Sequence, residues 1–357
     1  MSLDLAPRPL PLLTADLAGT GGVARVAPED FLVEELPAYL PGGAGEHLYL
    51  FIEKRGLSTV DAVGRLAHAL GADPREAGYA GQKDRHAIAR QWVSLHTPAR
   101  APALDDPSLK ILAEGRHTNR IRLGHLKGNR FLLTLRETVP DAVSRAQAIL
   151  DALGQTGLAN FYGEQRFGRR GDNAALGAAL LGLGSHPDLA RAKRDRHLRR
   201  LAISALQSEL FNRCLTDRIA AGLWDRVLAG DVLRKRLTGG LFVCDDAAAN
   251  QERLRSGEID VAGPMPGHRE RLRARGEALA REERVLAEAG VSREAFAAAK
   301  GEGEGAWRAY RAPVQNAAVR AGGAGAVELS FELPGGSYAT RVLAEVTKAD
   351  VTLPGGA

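Results

Sequence analysis

The chain has 357 residues, of which 45% are apolar and 25% charged, too apolar for a disordered protein and too long for one ordinary core of roughly 100–200 residues. Its net charge is only +5 although the pI is near 9.3, so basic surface must be local; a local patch suits a polyanion partner, and a composition bias towards arginine accounts for the same numbers equally well. Cys214 and Cys244 are the only cysteines and form no CxxC pair, which argues against a disulfide framework or a thiolate zinc site and fits a reducing compartment. The opening residues lack a basic stretch followed by an unbroken apolar run, and no run approaches about 18 apolar residues, so neither a secretory signal nor a membrane span is expected.

In chain order, residues 1–20 read as an irregular leader. Aromatic and β-branched residues at 47–53 predict a strand. Val60, Val63, Leu66 and Leu70 recur at helical spacing over 59–70, and Gly71 can close that helix. A strand–loop–strand unit is expected over 77–95, and a hairpin over 119–135 around Lys127-Gly128-Asn129. Pro140-Asp141 opens a helix to about Leu153, stopped by Gly154. From about 157 to 308 the chain reads as mainly helical. The segment 201–224 is the strongest helix, and another is expected over 269–289. Val327, Leu329, Phe331 and Leu333 alternate with polar residues, a half-buried strand, before a turn at Pro334-Gly335-Gly336 and a short helix. The expected architecture is an α/β (α+β) fold. One α/β domain, 1–156 plus 309–357, is interrupted by an inserted, mainly helical domain over 157–308; three consecutive domains are the alternative.

Several chemistries lack their motifs. There is no GxxxxGK[ST] loop, no GxGxxG after a strand, no HExxH and no GxSxG. The glycine-rich stretch 301–305 carries two glutamates and suits a linker. His117 and His125 lack the other members of a ligand cluster, so no metal is expected.

Four segments carry more. In GYAGQKDRHAIARQWVSL, residues 78–95, Asp84 stands among cationic neighbours that would keep a carboxylate ionised; such a group suits a nucleophile or base, and equally a structural ion pair. In RHTNRIRLGHLKGNRF, residues 116–131, basic residues that could neutralise phosphates end in Phe131, which can stack on a base or pack in a core. ANFYGEQRFGRRGDN, residues 159–173, holds Arg166 and Arg169 at the expected domain boundary, where clefts commonly bind ligands and where a tight connection is the plainer reading. RAKRDRHLRR, residues 191–200, contributes Arg191, Lys193 and Arg194 to a basic run that suits RNA or a solvated helix face.

Together these segments resemble the TruD family of tRNA pseudouridine synthases. The stretch around Asp84 resembles the motif of the family's catalytic aspartate, LKGNRF its Asn-x-Phe motif through Asn129 and Phe131, and NFYGEQRFG the motif leading into its inserted domain. RVAPEDFLVEE resembles the N-terminal motif and puts Arg25 where the family carries a basic residue near the site. GEHLYLFIEKRGLST, ISALQSELFN and LPGGSYAT follow in order, so the resemblance runs from about 22 to 346. Ala89 and Arg85 depart from the family's usual Thr and Lys. The resemblance implies a mixed, largely antiparallel catalytic sheet and isomerisation of the uridine at the thirteenth nucleotide of tRNA, without cofactor. It also implies Asp84 as catalytic carboxylate, with Phe131, Asn129 and Arg25 about the substrate; Lys83, next to Asp84 in the chain, is a further candidate expected to point to the opposite face. A cytoplasmic monomer with no protein partner is expected. The rival reading is a non-enzymatic RNA-binding protein using the same basic cleft.

Overall fold

A computed structural model describes residues 3, 5, 6, 8–299, 301–323 and 325–349. By its contacts the chain divides into two compact units, one containing Asp16–Gln155 together with the chain from Pro313, the other containing Thr156–Ala312 together with the leading residues. The first unit opens with β1 (Gly21–Ala24), β2 (Phe31–Pro37), β3 (His47–Lys54) and α1 (Thr59–Leu70). Ser58 caps α1 by accepting from the Asp61 amide at 3.1 Å, and Gly71 ends it in the left-handed region at φ 62°. Its buried stripe is Ala62, Val63, Leu66 and Ala67, packed on Leu50, Ile52, Val93 and Leu95. Val60, expected on that stripe, is 55% exposed, because Thr59 takes the sheet-facing place and donates to Gln91 Oε1 at 2.9 Å.

Next come β4 (Gly78–Tyr79), β5 (Ile88–His96), β6 (Leu109–His117), β7 (Leu126–Thr138) and α2 (Ala142–Thr156). The hairpin expected around Lys127-Gly128-Asn129 is not formed: these residues lie inside β7, and the chain turns earlier, through Gly124 at φ 88°. Gly128 serves a different need, because a Cβ there would overlap the Leu333 carbonyl of a neighbouring strand. Helix α2 likewise runs past Gly154, and the chain leaves it at Gly157, φ 78°.

The second unit holds β8 (Leu158–Ala159), α3 (Asn173–Leu180), α4 (Leu189–Arg194), α5 (Arg196–Ala220), β9 (Val232–Lys235), β10 (Leu241–Val243), α6 (Ala247–Arg255), β11 (Ile259–Met265), α7 (Gly276–Glu288), β12 (Ala306–Ala309) and β13 (Arg311–Ala312). The mainly helical expectation missed its antiparallel sheet, ordered β10-β9-β11-β12. Most of these strands are too short to show alternation. β11 is buried on both faces, so it has no period-2 signal, and Gly263-Pro264 reads against a strand. The helix expected from 269 begins only at Gly276. The leader, assigned by sequence to the α/β domain, packs in this unit instead: Leu5 is buried in a core with Phe161, Phe211, Leu215 and Phe296. The basic run 191–200 is split between α4 and α5 by Asp195, which caps α5 by accepting from the His197 and Leu198 amides.

The chain returns to the first unit with β14 (Gln315–Ala321), β15 (Val327–Pro334) and α8 (Ala339–Thr347). Its sheet runs β14-β15-β7-β2-β5-β3-β6, with β1 also on β7 and β4 on β5; among the described residues only β2–β5 is a parallel pair. Register decides which side chains share a face. Val33 lies opposite Phe131, which lies opposite Phe331; Glu35 lies opposite Asn129, which lies opposite Leu333. Val33 also neighbours Ala89, and Ala89 neighbours Lys54. One face is therefore apolar yet carries Glu35, Asn129 and Lys54. The other carries the ion-pairing side chains Glu34, Arg90, Arg130 and Glu332. Among the described residues no helix is long and apolar enough to cross a membrane, and no group of His, Cys, Asp or Glu could hold a metal ion.

Candidate active site

The loop between β4 and β5 carries Lys83 and Asp84, and three buried side chains fasten it. Thr59 Oγ1 accepts from the Lys83 amide at 2.9 Å, Gln91 Nε2 donates to the Gly81 carbonyl at 3.3 Å, and Lys54 Nζ donates to the Asp84 carbonyl at 2.8 Å. Arg85, one of the two departures from the family's usual residues, donates through Nε to the Gly56 carbonyl at 3.0 Å. Ala89, the other, lies fully buried in β5.

Lys83 and Asp84 diverge, as neighbours on an extended chain do. Asp84 Oδ2 accepts from Arg25 Nη1 at 2.9 Å, and its Oδ1 accepts from the His86 amide at 3.0 Å. Burial pushes the Asp84 carboxyl up, but the His86 amide and the Arg25 guanidinium outweigh it and hold the group below the usual aspartate value. Its side chain keeps 23% exposure against 8% for Arg25, so the carboxylate is ionised, oriented and still reachable.

Arg25 follows β1 with φ 61°, a left-handed conformation uncommon for a residue with a side chain. This turn directs the guanidinium onto Phe31, with Cζ 3.7 Å from the ring centroid. Phe31 meets Phe131 edge-on at 6.2 Å, and Phe131 stacks on Phe331 at 5.5 Å. Phe131 thus lies in an aromatic row continuous with the Arg25–Asp84 pair.

Lys83 turns the other way. Its Nζ is 3.0 Å from Glu35 Oε2, and the two side chains are only 6% and 1% exposed. Burial raises the Glu35 carboxyl while Lys83 opposes it, and the other Glu35 oxygen accepts the Trp92 amide at 3.4 Å. Asn129 lies across the strand from Glu35, and its Oδ1 is buried with no hydrogen-bond partner among the described residues. Arg25 Nε is orphaned in the same way. Buried unpaired polar atoms are rare, and each marks a place where a ligand's polar group can bind.

Arg25, Lys83, Asp84, Asn129 and Phe131, five candidates from sequence, therefore converge on one face of one sheet. Glu35 and Lys54 were not among the candidates, although the signal was present. Phe31-x-Val33-x-Glu35 and Leu48-x-Leu50-x-Ile52-x-Lys54 each end a buried alternation in a charge.

The other basic candidates belong to the second unit. Arg166 is half-buried, with Nε donating to Ser208 Oγ at 3.0 Å and Cζ 5.4 Å from the Tyr162 ring centroid. Arg169 is exposed. Arg191, Lys193 and Arg194 are exposed on α4 and have no ion pair among the described residues, whereas Arg199 in the same run is engaged by Glu302. His117 and His125 flank Tyr39, whose hydroxyl is 2.9 Å from His125 Nδ1.

Comparison with known proteins identifies the family. The family model for tRNA pseudouridine synthase D (TruD) matches residues 10–192 and 184–346. The tRNA pseudouridine synthase D of Anaeromyxobacter sp. (strain Fw109-5) is 51% identical over 347 residues, covering 96% of this chain and 97% of that protein. That of a Thermus thermophilus strain is 42% identical over 353 residues, covering 98% and 95%. The crystal structure of the putative tRNA pseudouridine synthase D from Methanosarcina mazei superimposes with a TM-score of 0.77 at 24% identity, covering 96% of this chain and 97% of that one, a likeness of fold.

Proposed function

This chain belongs to the tRNA pseudouridine synthase D family, and from that premise we propose that it isomerises a uridine of tRNA to pseudouridine, at the thirteenth nucleotide, with Asp84 as the catalytic carboxylate and no cofactor. The observation that carries the reading is Asp84 itself, held ionised by Arg25 and the His86 amide yet partly exposed, with the Nε of its partner Arg25 orphaned.

Pseudouridine formation breaks the bond from C1′ to N1, turns the uracil and rejoins it through C5. The C5 proton leaves and N1 gains one, so no atom is gained or lost overall and neither a redox partner nor an energy source is required. The target base must first leave its stack, at a cost of a few kcal/mol. Phe131 supplies the apolar wall for the displaced ring, and Asn129 Oδ1 accepts from a uracil N–H. Asp84 acts as nucleophile or base, Arg25 keeps it ionised through a charge-assisted bond, and Lys83 supports the site through Glu35. In this reading the enzyme is a cytoplasmic monomer.

Arg166, Arg169, Arg191, Lys193 and Arg194 contact the RNA backbone. Changing Arg191, Lys193 and Arg194 together to Ala is expected to weaken tRNA binding and to reduce the slope of log K against log salt by up to about three. Filter-binding titrations at several salt concentrations read this directly, and an unchanged slope assigns the three residues to solubility.

The reading as a whole is tested by incubating the protein with unmodified tRNA transcripts and separating the nucleosides and the supernatant by liquid chromatography and mass spectrometry. A product of unchanged mass but new retention is expected at the thirteenth nucleotide, with no free uracil. Released uracil would instead make the protein a glycosylase, and bound but unaltered tRNA would make it a non-enzymatic RNA binder.

A further inference from the structure

We infer that Lys54 is a positioning residue that clamps the catalytic loop through its ammonium group, fixing the peptide that carries Asp84. The inference rests on the reading of Asp84 as the catalytic carboxylate.

Lys54 ends β3 on the face where Leu48, Leu50 and Ile52 are buried, and it is itself 0% exposed. An ammonium without water is costly unless it is paired, yet among the described residues Lys54 has no ion pair. Its hydrogen bonds go to two backbone carbonyls from different loops: Leu57 at 2.7 Å, before α1, and Asp84 at 2.8 Å. Packing alone would be served by Met or Leu at this position, so the reason for a lysine lies in those two bonds.

The second bond matters for geometry. Holding the Asp84 carbonyl fixes the peptide that follows it, and with it the His86 amide that orients Asp84 Oδ1 at 3.0 Å. Thr59 and Gln91 hold the preceding part of the loop through the Lys83 amide and the Gly81 carbonyl. Lys54 is the only one of the three that grips Asp84 itself. Burial lowers the Lys54 ammonium to about 8, with the Asp84 charge opposing that fall, so the two groups also sense each other electrostatically.

Lys54→Met keeps the length and apolar bulk of the side chain and removes the ammonium. Two measurements on the full chain decide the matter. In single-turnover reactions with a tRNA transcript, Lys54→Met is expected to slow pseudouridine formation by at least about tenfold while tRNA affinity stays within a few-fold. In hydrogen–deuterium exchange without RNA, the amides of residues 83–86 are expected to exchange at least about tenfold faster, with those of β7 unchanged. Unaltered exchange at 83–86, or an unaltered rate, overturns the inference. Faster exchange throughout the unit, with a collapsed melting temperature, also overturns it by making Lys54 a general support of the fold. If the wild-type protein makes no pseudouridine, the isomerase reading falls, and the exchange comparison still decides whether Lys54 clamps the loop.

Discussion

Asp84→Asn is expected to cut pseudouridine formation by at least about a thousandfold while leaving tRNA affinity within a few-fold. The substitution keeps the shape of the side chain and an oxygen to accept the Arg25 and His86 hydrogen bonds, so the loop retains its form. What it removes is the negative charge and the nucleophilic or basic oxygen. A residue whose role were only to neutralise Arg25 would behave differently: the amide would weaken folding and binding, and turnover would fall only as far as they did. Single-turnover rates set beside filter-binding affinities separate the two cases. The pH profile of the wild type adds a check. Because Asp84 is held below the ordinary aspartate value of about 3.9, its rate is expected to show no acid limb between neutral pH and about pH 5.

Arg25→Met is the second large effect. Arg25 is the one side chain that ion-pairs with Asp84 among the described residues. With it gone, the His86 amide still opposes burial but the guanidinium no longer does, and the Asp84 carboxyl rises. The sign follows directly. In the wild type the carboxylate is present at all pH values above its lowered pKa; in Arg25→Met the same ionisation occurs at higher pH, so the acid limb of the rate moves towards neutrality. A loss of about tenfold is expected at neutral pH, where the carboxylate loses the bond that orients it, with a further fall only as pH drops towards the raised pKa. Stability responds with the same sign. A carboxylate whose folded pKa is depressed stabilises the fold above its unfolded pKa, and that contribution is lost as pH falls through the folded value. Arg25→Met reduces this contribution to what the His86 amide supplies. A rate reduced by the same factor at every pH would show that Arg25 shapes the site without tuning Asp84.

The sequence made the strands with clean alternation legible, such as β15, where Val327, Leu329, Phe331 and Leu333 are all buried. It also made α1 legible through the helical spacing of Val63 and Leu66 and through Gly71, whose role in ending the helix is local. The errors arose where tertiary contacts chose the conformation. Gly128 reads as a turn, yet it is a glycine because another strand's carbonyl passes too close for a Cβ. β11 carries no period because both of its faces are covered, and Gly263 in that strand leaves room for the Tyr310 ring.

At the site, Asp84, Arg25, Asn129 and Phe131 were found through motifs. Their relationship was not, because Arg25 meets Asp84 through a left-handed turn that no sequence pattern announces. Glu35 and Lys54 were overlooked because each reads as one more charge on a strand. The register places Glu35 beside Asn129 and Lys54 on the face shared with Val33 and Ala89, where both are buried, as the alternation that each one closes already indicated. A charged residue that closes a buried alternation is therefore worth weighing as a site residue from the sequence pattern alone.

The most direct test is the amount of pseudouridine formed at the thirteenth nucleotide of an unmodified tRNA transcript by wild type and by Asp84→Asn, side by side, with EDTA present and no cofactor added. Near-stoichiometric conversion by the wild type and none by Asp84→Asn is the expected result. Equal conversion by both proteins would contradict the assignment of Asp84, and tRNA bound but unmodified by the wild type would contradict the isomerase reading itself.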